Sequence, residues 1–229
     1  MLVSGIKVLF EGRNMVRMLA GFLVTLRVAV IVLVLGGILG VLLGALRTLK
    51  NRPLRIVLRG YLEIFRIVPT VVLLFVAYYI LPQTFGLNLP GEAVAILVFT
   101  LWTAAEMSDI VRGALEAVPV HQKEAGQAIG LTQTQLFRYV LIPQAIPVAL
   151  PGTINLATRI IKTTSLLLMI SVMDIVNVGQ TLVEANGHKN PSVAFWIYGL
   201  MFVLYYILCA PLSQWAKRVE KKRLEQVNG

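Results

Sequence analysis

Five stretches of this chain each run for the width of a bilayer and are predominantly apolar. A hydrocarbon core of about 30 Å is crossed by roughly 20 apolar residues in a helix. The first such stretch extends from about Phe22 to Leu46 and the second from about Gly60 to Leu81. The third covers Ala93 to Leu115, the fourth Pro147 to Val172 and the fifth Val193 to Trp215. Lipid offers no hydrogen bonds, so a segment that crosses it must satisfy its own backbone, and a helix does this alone. The expected fold is therefore an all-α membrane protein of five transmembrane helices, a single transmembrane domain over residues 1–229. Within it we expect an amphipathic segment over 1–18, a five-span core over 22–215 with a polar loop over 116–146, and a basic tail over 216–229.

Composition agrees. The chain is 57% hydrophobic and 14% charged, with a mean hydropathy of +0.79, against roughly 45–50% and about 25% in soluble domains. A net charge of +10 would suggest nucleic acid in a soluble protein. Here the cations sit in short loops between apolar runs, which is the positive-inside pattern, and no nucleic acid is expected. Arg47, Lys50, Arg52, Arg55 and Arg59 lie between spans one and two; Lys217, Arg218, Lys221, Lys222 and Arg223 follow span five. Pro82 to Glu92 has no Lys or Arg, and Glu184 to Ser192 has only Lys189. This predicts an external N-terminus and a cytoplasmic C-terminus. Lys7, Arg13 and Arg17 conflict with that orientation. Leu2, Ile6 and Leu9 share a helical face, so this segment is expected to lie flat on the membrane. The first apolar run is too long for a cleaved leader and lacks a small-residue cleavage site. Cys209 alone supports neither a disulfide framework nor a metal site.

Span one carries Gly36, Gly40 and Gly44 at four-residue spacing, which lets helix backbones approach closely; packing within one subunit is expected rather than a dimer seam. Pro69, Pro147 and Pro151 are expected to kink or break their helices.

The most unusual segment is polar. Lys123-Glu-Ala-Gly-Gln-Ala-Ile-Gly130 is followed by Thr132-Gln-Thr-Gln135, which reads as a capping box. Gly130 suits the left-handed end of the preceding helix. A helix–Gly–helix elbow in an aqueous loop is predicted.

Charges also occur at membrane depth, where each costs about 2.5–3.5 kcal/mol on insertion scales. Asn155, Arg159 and Lys162 fall on one face of span four, and Glu106, Asp109 and Arg112 on one face of span three. At about 1.5 Å per residue Glu106 lies roughly 20 Å from the outer end of span three, and Arg159 and Lys162 roughly 18–22 Å from the inner end of span four. These depths overlap near mid-membrane, while Asp109 and Arg112 lie towards the cytoplasmic end. Two readings stand open. One is structural ion pairing: Asp109 with Arg112, Glu63 with Arg66, Glu106 with Arg159 or Lys162. The other is a cavity for a small zwitterion lined by Glu106, Asn155, Arg159 and Lys162. Thr163, Thr164 and Ser165 add hydroxyls, although in helices these usually bond their own carbonyls.

The elbow resembles the loop signature E-A-A-x-x-x-G…I-x-L-P of permease subunits in ABC importers. Glu124, Ala125, Gly130 and Pro143 are in register, with Gly126, Val140 and Ile142 as departures. Glu63-Ile-Phe-Arg-Ile-Val-Pro69, Ile110-Val-Arg-Gly-Ala114, Leu141-Ile-Pro-Gln-Ala145 and Lys162-Thr-Thr-Ser-Leu166 are similar to segments of the polar amino acid permeases. Where those usually read AYxxEIxRG, this chain has Ala105-Glu-Met-Ser-Asp-Ile-Val-Arg-Gly113, and Thr163 stands where they carry Asp. The resemblance implies the type I ABC importer permease fold with a cytoplasmic coupling helix-turn-helix. It also implies a dimer of ATP-binding subunits docked on the elbow through His121, Glu124, Ala125, Gly130, Leu131, Arg138 and Pro143. ATP and Mg would be held by that partner, since no G-x-x-x-x-G-K-[ST] motif occurs here, and the chain itself would be no enzyme. A second permease, identical or homologous, an external solute-binding protein and membrane lipids complete the implied assembly, in the bacterial inner membrane, with candidate substrate contacts at Glu106, Asn155, Arg159, Lys162, Thr164 and Ser165. Two other readings compete. One is the same architecture moving methionine or an oxyanion; the other is a membrane-embedded lipid enzyme, for which His121 and His188 lie on opposite sides of the expected topology.

Overall fold

The computed structural model describes every residue except Met1, Lys50, Leu87, Lys189 and Gly229, so the expectations placed on Lys50 and Lys189 lie outside the described residues. All regular structure among the described residues is helical. In chain order the α-helices are α1 Leu2–Phe10, α2 Asn14–Arg47, α3 Arg52–Ile67, α4 Thr70–Phe75, α5 Leu81–Phe85, α6 Gly91–Glu116, α7 Val120–Ala128, α8 Gln133–Leu136, α9 Ile142–Thr163, α10 Ile175–Gly187 and α11 Val193–Asn228. Two π-helical turns, Val76–Ile80 and Phe137–Leu141, and a 3₁₀ segment, Thr164–Ile170, join neighbouring helices.

Four helical stretches among the described residues are long and apolar enough to cross a membrane: Asn14–Arg47, Gly91–Glu116, Gln133–Ile170 and Val193–Arg223. Arg52–Ile67 with Thr70–Phe85 makes a fifth if that broken pair is one span. The break falls at Pro69, as its sequence dictates. Proline disfavours helical backbone in the residue before it, and Val68 is extended (φ −72°, ψ 128°). Of the kink or break expected at Pro147 and Pro151, the break does not occur: α9 continues through both. Each removes one backbone donor, which frees the carbonyls of Pro143 and Pro147. Span four is also longer than expected, because helical structure runs directly from the elbow into it.

The chain packs as two compact units. One gathers the residues up to Leu33 with Pro69–Phe99 and Thr158–Pro211; the other gathers Val34–Val68, Thr100–Ala157 and the chain from Leu212 on. In the first, Val8, Leu9 and Met18 bury against Ile175, Val178, Leu182, Val193 and Ile197. Leu9, on the face expected to lie on the membrane, is thus turned to the core. Val8 and Leu9 of α1 spend their apolar surface on the protein's own core.

The helix α10 was not expected. Its signals are short-range: Asp174 caps it by accepting from the Asn177 N–H at 2.9 Å, and Ile175, Val178 and Leu182 repeat along one buried face. Asp174 is fully buried and lies outside the spanning segments. Burial raises its carboxyl from 3.8 to about 6, partly offset by backbone N–H groups that favour the charged form. Its Oδ2 has no hydrogen-bond partner among the described residues.

In the second unit the glycine stripe does what its spacing predicts. A Cβ on Gly36 would come 2.6 Å from Thr103 Cβ and one on Gly44 2.7 Å from Val111 Cβ, while Gly40 meets Met107 still more closely. The stripe is thus a seam between α2 and α6 within one chain.

Candidate functional site

The elbow forms as its local chemistry requires. After α7, Gly130 adopts φ +83°, a conformation that costs other L-residues about 1–2 kcal/mol. Two backbone bonds close the turn: Gly130 N–H donates to Gln127 O (2.9 Å) and Leu131 N–H to Gly126 O (3.1 Å). Together they make a Schellman motif. Thr132 then opens α8 with both halves of the capping box. Its N–H donates to Gln135 Oε1 (2.9 Å), and the Gln135 N–H donates to Thr132 Oγ1 (3.4 Å). Gly126 is buried, and a Cβ there would fall 2.6 Å from Leu136 Cδ1, so the glycine lets α7 close onto α8. Ala114, Leu115, Val118 and Ala145 pack the base of the elbow.

His121, Glu124, Ala125, Gly130, Arg138 and Pro143 are all exposed, and Leu131 is half-buried. Three apolar side chains stand out on the same segment: Val120 at 66%, Ile129 at 78% and Tyr139 at 63% exposure. Sequence reasoning singled out the polar residues and passed over these three. Exposed side chains of this size on an otherwise polar, rigidly closed turn are the makings of a docking surface.

A charge cluster lies in the same unit. Asp109 on α6 accepts from three guanidinium groups: Arg66 Nη1 at 2.9 Å, Arg112 Nη2 at 3.1 Å and Arg47 Nη1 at 3.2 Å. Arg112 also reaches Glu116 Oε2 at 2.5 Å, and Glu106 Oε1 lies 3.9 Å from Arg66 Nε. The Asp109–Arg112 pair was expected; Glu63–Arg66 was not formed. Arg66 turns to α6 instead, where one carboxylate already faces Arg47 and Arg112. Arg47 was missed because pairing between helices leaves no periodic mark in either one; Glu116 pairs with Arg112 at i,i+4 within α6, a spacing the sequence does carry. In the first unit Arg27 pairs with Glu92 at 2.6 Å, also unforeseen.

On α9, Asn155, Arg159 and Lys162 form one exposed polar stripe. The neighbouring hydroxyls are turned inward on their own backbone. Thr163 donates to Arg159 O (2.9 Å), Thr164 to Ile161 O (2.7 Å) and Ser165 to Lys162 O (2.8 Å). Thr164 is fully buried. Among the described residues no group of His, Cys, Asp and Glu could hold a metal ion.

A helical membrane domain with an exposed, doubly capped elbow between two spans is the build of a transport permease. Residues 36–225 match the family model described as binding-protein-dependent transport system inner membrane component, and the chain belongs to that family, whose members named below are ABC transporter permeases. It is 32% identical over 210 residues to the L-cystine transport system permease protein TcyL of Bacillus subtilis, covering 89% of this chain and 85% of that protein. The probable glutamine ABC transporter permease protein GlnM of the same organism is 28% identical over 221 residues, covering 96% and 98%. Among solved structures, an amino acid ABC transporter crystallised with histidines superposes with a TM-score of 0.81 at 23% identity, over 92% of this chain and 95% of that one. The MetNI methionine ABC transporter in an inward-facing conformation gives 0.73 at 21%, over 91% and 99%. These two establish the fold as that of the type I importer permeases.

Proposed function

We propose that the chain forms the membrane path of an ATP-driven importer for polar amino acids and receives its motion from a separate ATPase through the elbow. The observation that carries this is the elbow itself. Backbone bonds and a capping box hold it in one shape, and Val120, Ile129, Tyr139 and Glu124 are all exposed on it. A rigid turn transmits displacement, whereas a flexible loop would absorb it. In this reading the elbow and the C-terminus lie in the cytoplasm, and the N-terminus is external. The ATPase pair binds ATP and Mg, closes, and pushes the elbows of two permeases, while an external solute-binding protein delivers the substrate.

The stripe of Asn155, Arg159 and Lys162 supports a polar path. Cations at membrane depth need water or protein over them. Arg159 and Lys162 suit a substrate carboxylate and Glu106 suits an ammonium. Relatives named for L-cystine and glutamine favour a zwitterion with a polar side chain. The Thr164 hydroxyl, buried and satisfied in its own helix, is left out of this set.

The test is uptake by proteoliposomes holding the whole complex with its binding protein. Labelled cystine, glutamine and arginine should enter in an ATP-dependent, saturable way. Uptake of methionine or an oxyanion alone would keep the architecture and overturn the substrate class. Glu106→Gln should weaken uptake of a basic substrate and leave complex assembly unchanged; unaltered uptake kinetics would remove Glu106 from the path.

A further inference from the structure

The second unit holds two cavities that share a wall. The first, of about 410 Å³, is cationic: Arg47, Arg55, Arg59, Arg112 and Lys123 line it, with Glu116 as its carboxylate. Arg47 and Arg112 are already occupied by Asp109 and Glu116. Arg55, Arg59 and Lys123 meet no carboxylate among the described residues; Arg55 reaches only the Leu49 carbonyl, at 3.3 Å. The first turn of α3 contains no acid, so Arg52 and Arg55 stand against the helix dipole, an arrangement that an anion at that helix start would offset.

The second cavity, of about 360 Å³, is an apolar groove running along α6 and α9 past Val41, Met107, Ala145 and Ala149. Leu115 and Phe137 line both cavities, so the groove and the cationic pocket lie side by side. Its one hydroxyl, on Thr153, is spent on the Ala149 carbonyl at 3.0 Å. The groove therefore offers no polar group to a ligand.

We propose that this pair of cavities is a binding site for one anionic glycerophospholipid. The phosphate sits among Arg55, Arg59 and Lys123, and one acyl chain lies in the groove between α6 and α9. Neither cavity alone selects a lipid, since a cationic pocket takes any phosphate and an apolar groove any hydrocarbon. Side by side, they suit an amphiphile with an anionic head. Basic pockets between helices at the cytoplasmic end of a membrane protein recognise lipid headgroups by this chemistry. A second copy of this chain is a poorer occupant, because 11 acidic residues against 21 basic ones leave it few carboxylates to bring. The inference rests on the topology proposed above, which puts Arg55 and Arg59 at the cytoplasmic leaflet. Because Lys123 belongs to the elbow, the lipid would brace the docking helix against the spans.

Native mass spectrometry of the purified permease–ATPase complex, titrated with phosphatidylglycerol and separately with phosphatidylcholine, tests this. Phosphatidylglycerol should be retained selectively. Arg55→Gln with Arg59→Gln should lower its retention about tenfold. Ala149→Phe, which fills the groove and keeps every cation, should lower it too. Equal retention of the two lipids would overturn the proposal. So would displacement of phosphatidylglycerol by millimolar inorganic phosphate without any effect of Ala149→Phe, which would mark a free-phosphate site. Cross-linking of a cysteine at position 59 to the ATPase or to a second permease in the lipid-replete complex would assign the pocket to a protein instead. Sidedness is read separately, by labelling Ile129→Cys in a Cys209→Ala background. Labelling from outside would sink the topology whatever the lipid result.

Discussion

Asp109 illustrates how one residue can organise several helices. It draws Arg47 of α2, Arg66 of α3 and Arg112 of its own helix to a single carboxyl. Removing the charge leaves three guanidinium groups facing one another with Glu106 and Glu116 as remaining partners. Asp109 is 28% exposed, so the loss falls below the value for a fully buried pair. Asp109→Asn should cost about 2 kcal/mol, read as a lower midpoint for thermal denaturation of the complex, and Asp109→Glu should recover part of it. An unchanged midpoint in Asp109→Asn would show that the cluster does not stabilise the fold.

Asp174 acts at the same scale with the opposite sign. Its carboxyl titrates at about 6 when folded and at 3.8 when free. Below the lower value both states hold the proton. As pH rises between the two, the unfolded chain loses its proton first, so stability falls until about pH 6 and is then constant in this respect. Asp174→Asn keeps an oxygen to accept from the Asn177 N–H and cannot ionise. Its stability should therefore lack the decline between pH 4 and 6 expected of the wild type. Parallel denaturation curves for the two proteins across that range would contradict the assignment.

At the scale of elements, what was legible in the sequence was what is decided locally. The capping box at Thr132, the left-handed Gly130 and the break at Pro69 each depend on a few adjacent residues, and all three form. Helix α10 also carries a local cap, but its buried face is short and its sequence polar enough to pass for a loop. At Pro147 and Pro151 the helix runs on without a break, and adjacent residues alone did not decide between a kink and a break. The cost of a missing donor depends on what surrounds the freed carbonyls, which neighbouring helices supply. The charge cluster was half legible: residues sharing one helix face could be grouped, but the helix opposite could not be read. Gly130→Pro tests the elbow as an element. Proline fixes φ near −65° where +83° is needed and deletes the N–H that donates to Gln127 O. The complex should hydrolyse ATP with little accompanying uptake, measured as the ratio of the two rates. A ratio equal to that of the wild type would remove the elbow from the coupling path.

For the molecule as a whole, an apolar body bears its charge at few places, and those places differ in kind. The Asp109 cluster neutralises itself, the stripe on α9 is exposed, and the pocket beside Arg59 keeps an excess of cations. The first joins helices; for the second we propose a polar solute and for the third an anionic lipid. The family and the fold follow from sequence and superposition, whereas the coupling route is the central proposal. Uptake of labelled cystine or glutamine into proteoliposomes tests it most directly, comparing the permease alone with the full complex and supplying ATP only on the side that carries the elbow. The account predicts no uptake by the permease alone, and uptake by the complex that follows ATP hydrolysis and collapses in Gly130→Pro. Transport by the permease alone down an ion gradient, or uptake driven by ATP on the opposite side, would contradict it.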